Sequence, residues 1–205
     1  MKSTNYEEAV SPVIGVMLMI VVTIIIAAVV SGFAANLSGN TEQPPHASIK
    51  MAITSNGGPD HDQYIVTFKH LGGDSIPTKD VRIVSRYTSP GGKPYAKTLI
   101  AAQQSRGGCD IYGTGTMVRI PFISDVITGG GPGNPASDFG NFTFKPGDLL
   151  STGASACTGN SLNTGLLSFD VTDPGIGFAR GSEVEFTIVH IPSGVEIAHE
   201  KVIVE

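Results

Sequence analysis

"EEAVSPVIGVMLMIVVTIIIAAVVSGF", residues 7–33, opens on two acids and then carries no charge. From Val10 to Ala35 the apolar run is broken only by small or weakly polar residues: Ser11, Pro12, Gly15, Thr23, Ser31 and Gly32. As a helix this run of about 26 residues would reach roughly 39 Å at ~1.5 Å per residue, more than the ~30 Å of a bilayer's hydrocarbon core. The β-branched density at residues 21–26 would also suit a buried strand, but strands are not this long, so length selects the helix. A helix that is apolar on every side has no face to offer water, and must be surrounded by lipid or by other apolar helices. A secretory signal peptide has a shorter apolar core behind a basic front, whereas here Lys2 stands against Glu7 and Glu8. The small residues of "FAANLSG", residues 33–39, leave conventional cleavage behind the run as an alternative.

Outward from this segment the composition changes. "NLSGNTEQPPHAS", residues 36–48, is polar and carries two prolines, which reads as a linker with a boundary near Pro44 or Pro45. The 205-residue chain leaves enough length beyond it for one domain with a real core. With 26 glycines, no tryptophan and recurrent Val, Ile, Thr and Ser, that domain reads as short strands joined by tight turns. The net charge of -5 and the small charged share give no basic patch for a phosphate backbone, so no nucleic-acid partner is expected.

Alternation of Ile49, Met51 and Ile53, then of Tyr64, Val66 and Phe68, around the turn at residues 55–62 predicts a hairpin. Further strands are expected in "DVRIVSRY" (80–87), "AKTLIAA" (96–102), "TMVRIPFI" (116–123), "NFTF" (141–144), "GLLSFDV" (165–171), "EVEFTIVHI" (183–191) and "VEIAHEKVIVE" (195–205). The last two, joined by "PSG" at Pro192 to Gly194, form the clearest hairpin. About nine strands with turn signals between them predict an all-β domain, a β-sandwich of immunoglobulin-like kind. The glycine-rich stretches at residues 105–116 and 128–140 read as surface loops.

"AVSPVIGVMLMIVVTIIIAAVVSGF", residues 9–33, resembles the N-terminal segment of the archaeal type IV pilins, which begin with a short polar leader before an "AVSPVIGVxLM" block. The resemblance implies that a prepilin peptidase cuts on the cytoplasmic side, between Glu8 and Ala9. It also implies that the helix, residues 9–35, is kept, first as a membrane anchor and then as the core of a filament. Residues 1–8 would then be leader, 36–45 linker and 46–205 the extracellular domain. Two departures stand out: Val13 occupies the fifth position after the cut, where bacterial pilins use glutamate, and Glu7 and Glu8 replace the basic residue often found before it. Within the domain, residues 67–84, 144–153 and 181–197 resemble the family's strand, Gly-Gly-Asp turn, "PGD" segment and closing hairpin. The implied partners are further copies of the chain in a helical homopolymer, the prepilin peptidase and assembly machinery, and the membrane before assembly. The implied role is adhesion at the cell surface.

Pro12 sits in the first turn, where its missing N–H has no helical partner to lose. Gly15, Ala27 and Ala28 would allow neighbouring helices to approach closely in a filament core. Cys109 and Cys157, on what should be the oxidising side, are expected to form a disulfide; closing a loop of ~48 residues would stabilise by roughly 4 kcal/mol in the chain-entropy picture. Asn141 in "NFT" and Asn36 in "NLS" match the N-glycosylation acceptor pattern, and Asn141 is the better placed.

Catalytic signals are weak. Asp60, His61 and Asp62, with His70 and Asp74 nearby, could converge on a cation, but neighbouring strand residues point to opposite faces and a solvated turn explains them better. No Gly-x-Ser-x-Gly elbow occurs, and "PGGKPY", residues 90–95, lacks the spacing of a phosphate loop. Asp74 and Asp148, each after a glycine turn, read as turn chemistry. Neither metal, cofactor nor catalytic residues are expected. The competing readings are a solitary membrane-tethered binding domain and, from another class, a secreted enzyme.

Overall fold

The computed structural model describes residues 12–37, 42–55, 64–103, 109–110, 117–123, 134–152, 165–171 and 173–205. The chain divides into two compact units between Glu42 and Gln43.

The first unit holds helix α1 (Pro12–Leu37), which runs two residues past the Ala35 that the sequence predicts, while the predicted start at Ala9 lies outside the described residues. Within Pro12–Leu37 the first turn carries no acid and the last no base.

The second unit is a mostly antiparallel β domain. In chain order its strands are β1 (Ala47–Ser55), β2 (Tyr64–Gly73), β3 (Ile76–Pro77), β4 (Val81–Thr88), β5 (Pro94–Ile100), β6 (Cys109–Asp110) and β7 (Met117–Val118), followed by β8 (Phe122–Ile123), β9 (Thr143–Phe144), β10 (Leu149–Ser151), β11 (Glu183–His190) and β12 (Glu196–Ile203). They form two four-stranded sheets, in the orders β1-β2-β10-β8 and β12-β11-β4-β5, with the small pairs β3-β9 and β6-β7 beside them. Both expected hairpins are present: β1 pairs with β2 over its whole length, and β11 pairs with β12. Gly194, at φ 69°, supplies the left-handed residue that the second turn requires.

Alternation puts one face of each sheet inward. Phe68 of β2 meets Phe186 of β11 edge to face at 5.6 Å, so the two sheets share one core. Ile53, Val66, Ile83 and Val184 fill in around them, all essentially inaccessible. The two sheets also join at one margin. Near their C-terminal ends β1 and the end of the chain run parallel, with Ile53 opposite Val204, Ser55 N–H donating to Glu205 O at 2.8 Å and Glu205 N–H to Ile53 O at 3.0 Å.

Three expected elements differ. Residues 165–171 form no strand, although Leu166 and Leu167 are both buried. Instead the segment caps the core, with Ser85 Oγ donating to Leu166 O and Lys97 Nζ to Leu167 O at 3.4 Å. Residues 116–123 hold two separate two-residue strands, because Pro121 has no N–H to give a ladder. The stretch read as a surface loop up to Gly140 turns inward at its end, where Phe139 is fully buried.

Candidate assembly interface

From Val13 to Ala34 every side chain of α1 is exposed, including Met19 at 70% and Ile25 at 56%. These 22 residues are long and apolar enough to cross a membrane. Thr23 Oγ1 donates to Ile20 O at 2.8 Å, which satisfies its hydroxyl inside the helix and removes the main objection to placing it in hydrocarbon. The expected packing residues lie on this helix: Pro12 opens it, Gly15 has no atom within 4 Å of where a Cβ would stand, and Ala27 and Ala28 are exposed. Ala27 with Ser31, and Ala28 with Gly32, are four apart and so share faces on which another helix could approach closely.

The other sites read from the sequence are spread through the chain. Glu8 and Ala9 lie outside the described residues, as do Asp60, His61, Asp62 and Cys157. Cys109 is described only as backbone in β6, and Asn36 only as backbone in the last turn of α1. Asn141 is exposed, and its Nδ2 donates to Pro135 O at 2.7 Å.

Asp148 is turn chemistry, its Oδ2 accepting from Lys145 N–H at 2.8 Å. Asp74 does more than close its own turn. Its Oδ2 accepts from His46 N–H at 2.9 Å and its N–H donates to His46 O at 2.8 Å, which fixes the residue just before β1. His70, fully buried and edge-on to Phe144 at 4.9 Å, holds Asp74 O through Nε2 at 2.9 Å, while its Nδ1 has no hydrogen-bond partner. Sequence reasoning missed this arrangement because His46 and Asp74 are 28 residues apart.

Among the described residues no three His, Cys, Asp or Glu side chains converge as a metal site would require. An open groove of about 510 Å³ lies beside the ends of β4 and β12, where Arg86 pairs with Glu185 at 3.0 Å and Lys201 with Glu183 at 2.9 Å. The Glu183 carboxylate, by hydrogen bond and by charge, holds the Lys201 ammonium above its ordinary pKa. Lys97, half buried beneath residues 166–167, is shifted the other way by desolvation.

Residues 8–49 match the family model described as "Archaeal Type IV pilin, N-terminal". This segment is similar to the N-terminal part of the archaeal type IV pilins. That family is structural rather than catalytic. An uncharacterized protein of Archaeoglobus fulgidus is 34% identical over 104 residues, a match that takes in 50% of this chain. The matched region spans 63% of that relative's length. No solved structure matches.

Proposed function

We propose that the chain is a structural subunit of an archaeal type IV pilus-like surface filament, which polymerises through α1 and serves adhesion and surface attachment. The observation that carries this reading is α1 itself: a pilin-type segment whose apolar side chains are open on all sides and find no cover within their own unit. Lipid provides that cover before assembly and α1 of other copies provides it afterwards. Hydrocarbon is as apolar as the helices, so close packing at Gly15, Ala27 and Ala28, together with the assembly machinery, drives the transfer.

In this account a prepilin peptidase cuts between Glu8 and Ala9, residues 9–35 form the core, residues 36–45 link, and the domain from residue 46 onward faces the outside as a β-sandwich. Cys109 and Cys157 close a disulfide there. Asn141 carries a glycan, its exposure and its place after a tight turn favouring access by a transferase.

Immunogold labelling of sheared surface filaments with antibody to the β domain tests the polymer. Label along the filament length is expected. Label confined to cell membranes, with bare filaments, would replace the polymer by a solitary tethered domain.

A further inference from the structure

β1 is the first element of the domain, so any pull between α1 and the domain enters at residue His46. The place where it enters is unusually well fastened. His46 exchanges two hydrogen bonds with Asp74, one of them to a carboxylate oxygen, and Asp74 is held in turn by buried His70. Gly73 makes the approach possible: its φ is 109°, and a Cβ there would collide with the His46 carbonyl oxygen. Behind this point β1 is held on both sides. It pairs with β2 along its length, Met51 N–H donates to Glu200 Oε2 at 2.7 Å, and Ile53 and Ser55 bond to the end of the chain. Because β1 runs parallel to the final residues, His46 and Glu205 lie at opposite ends of the domain. Tension between them runs along the strands and loads the bonds of β1 together in shear, rather than opening them one after another.

We propose that the turn Gly72-Gly73-Asp74 is a mechanical clasp, which takes up the pull that a surface filament transmits from α1 and keeps β1 from peeling off the domain. The proposal rests on the reading of α1 as a retained anchor. Charge-assisted hydrogen bonds are the strong ones, and interactions broken on the way to the unfolding transition state set how fast a domain yields. If the bond is already broken in the unfolding transition state, removing the carboxylate shortens the lifetime by the whole of the lost stability.

The test holds the full chain by α1 in a lipid nanodisc and pulls at constant force through a handle on Glu205. Domain unfolding lengthens the tether, whereas extraction of the helix loses it. Asp74→Ala is expected to shorten the unfolding lifetime about tenfold, the worth of one such bond. Ser89→Ala, which removes the 3.1 Å bond from Lys93 N–H at the opposite end of the domain, should change it less than about twofold. Should Asp74→Ala fail to fold, Asp74→Asn, which keeps an oxygen but not the charge, is expected to shorten the lifetime about threefold. Equal effects of the Asp74 and Ser89 variants, or an unchanged lifetime in both Asp74 variants, would overturn the clasp. A single tethered chain reports on the clasp whether or not the chain polymerises, and the immunogold experiment reports on the polymer whether or not the clasp holds.

Discussion

Val22 and Ile25 of α1 are 44% and 56% exposed, while Val184 and Ile188 of β11 are 0% and 4% exposed. The residue types are the same and the outcomes opposite. In β11 alternation gives one apolar face, and the facing sheet covers it. In α1 the apolar residues go all the way round, so the helix has no polar face to turn to water. If lipid or other helices supply the cover that α1 lacks, the two regions should respond independently to mutation.

The largest effect expected from breaking that comparison comes from the core. Phe186→Ala should lower domain stability by about 3–5 kcal/mol in a thermal melt followed by near-ultraviolet circular dichroism, and leave membrane association intact. Ile25→Lys is the reciprocal change. A charge at the centre of a membrane helix costs about 2.5–3.5 kcal/mol, so the carbonate-resistant membrane fraction and recovered filaments should fall while the domain's melting temperature stays fixed. If either variant moved both readouts, the two regions would not be independent.

Smaller effects sharpen the account inside the domain, where two lysines are shifted in opposite directions. Lys201 is raised by Glu183, so its pairing contributes fully below the unfolded value near 10.5 and is lost as pH climbs through the higher folded value. Lys201→Met should therefore lower the melting temperature slightly at pH 7, and the difference should vanish only above pH 10.5. Lys97 is lowered by burial, so its charged form opposes folding at neutral pH and the opposition fades as pH rises through the depressed value toward 10.5. Relative to Lys97→Met, which also loses the bond to Leu167 O, the parent protein should gain melting temperature as pH rises toward 10.5.

Elements that depend on local pattern were legible in the sequence. The uncharged run from Val10 to Ala35 left no choice but a helix, and alternation with a turn between gave both long hairpins. Elements that depend on distant partners were not. Residues 165–171 have a strand's composition, but their place is set by Ser85 and Lys97, whose partners in the segment lie 81 and 70 residues further along the chain. Phe139 looked like part of a glycine-rich loop, since nothing local indicates that it reaches the core. The Asp74 turn was readable as a turn, while its hold on His46 appears only once β1 lies beside β2. The candidate assembly helix was thus visible from the first residues, and the fastening of the domain behind it was not.

The central claim is that the apolar segment is kept as a working part of the protein. Mass spectrometry of the N-terminus, on subunits from a sheared surface-filament fraction, tests it most directly. Subunits that begin at Ala9 and retain the whole of α1 are expected. Subunits that begin beyond Ala35, recovered as soluble protein, would contradict it.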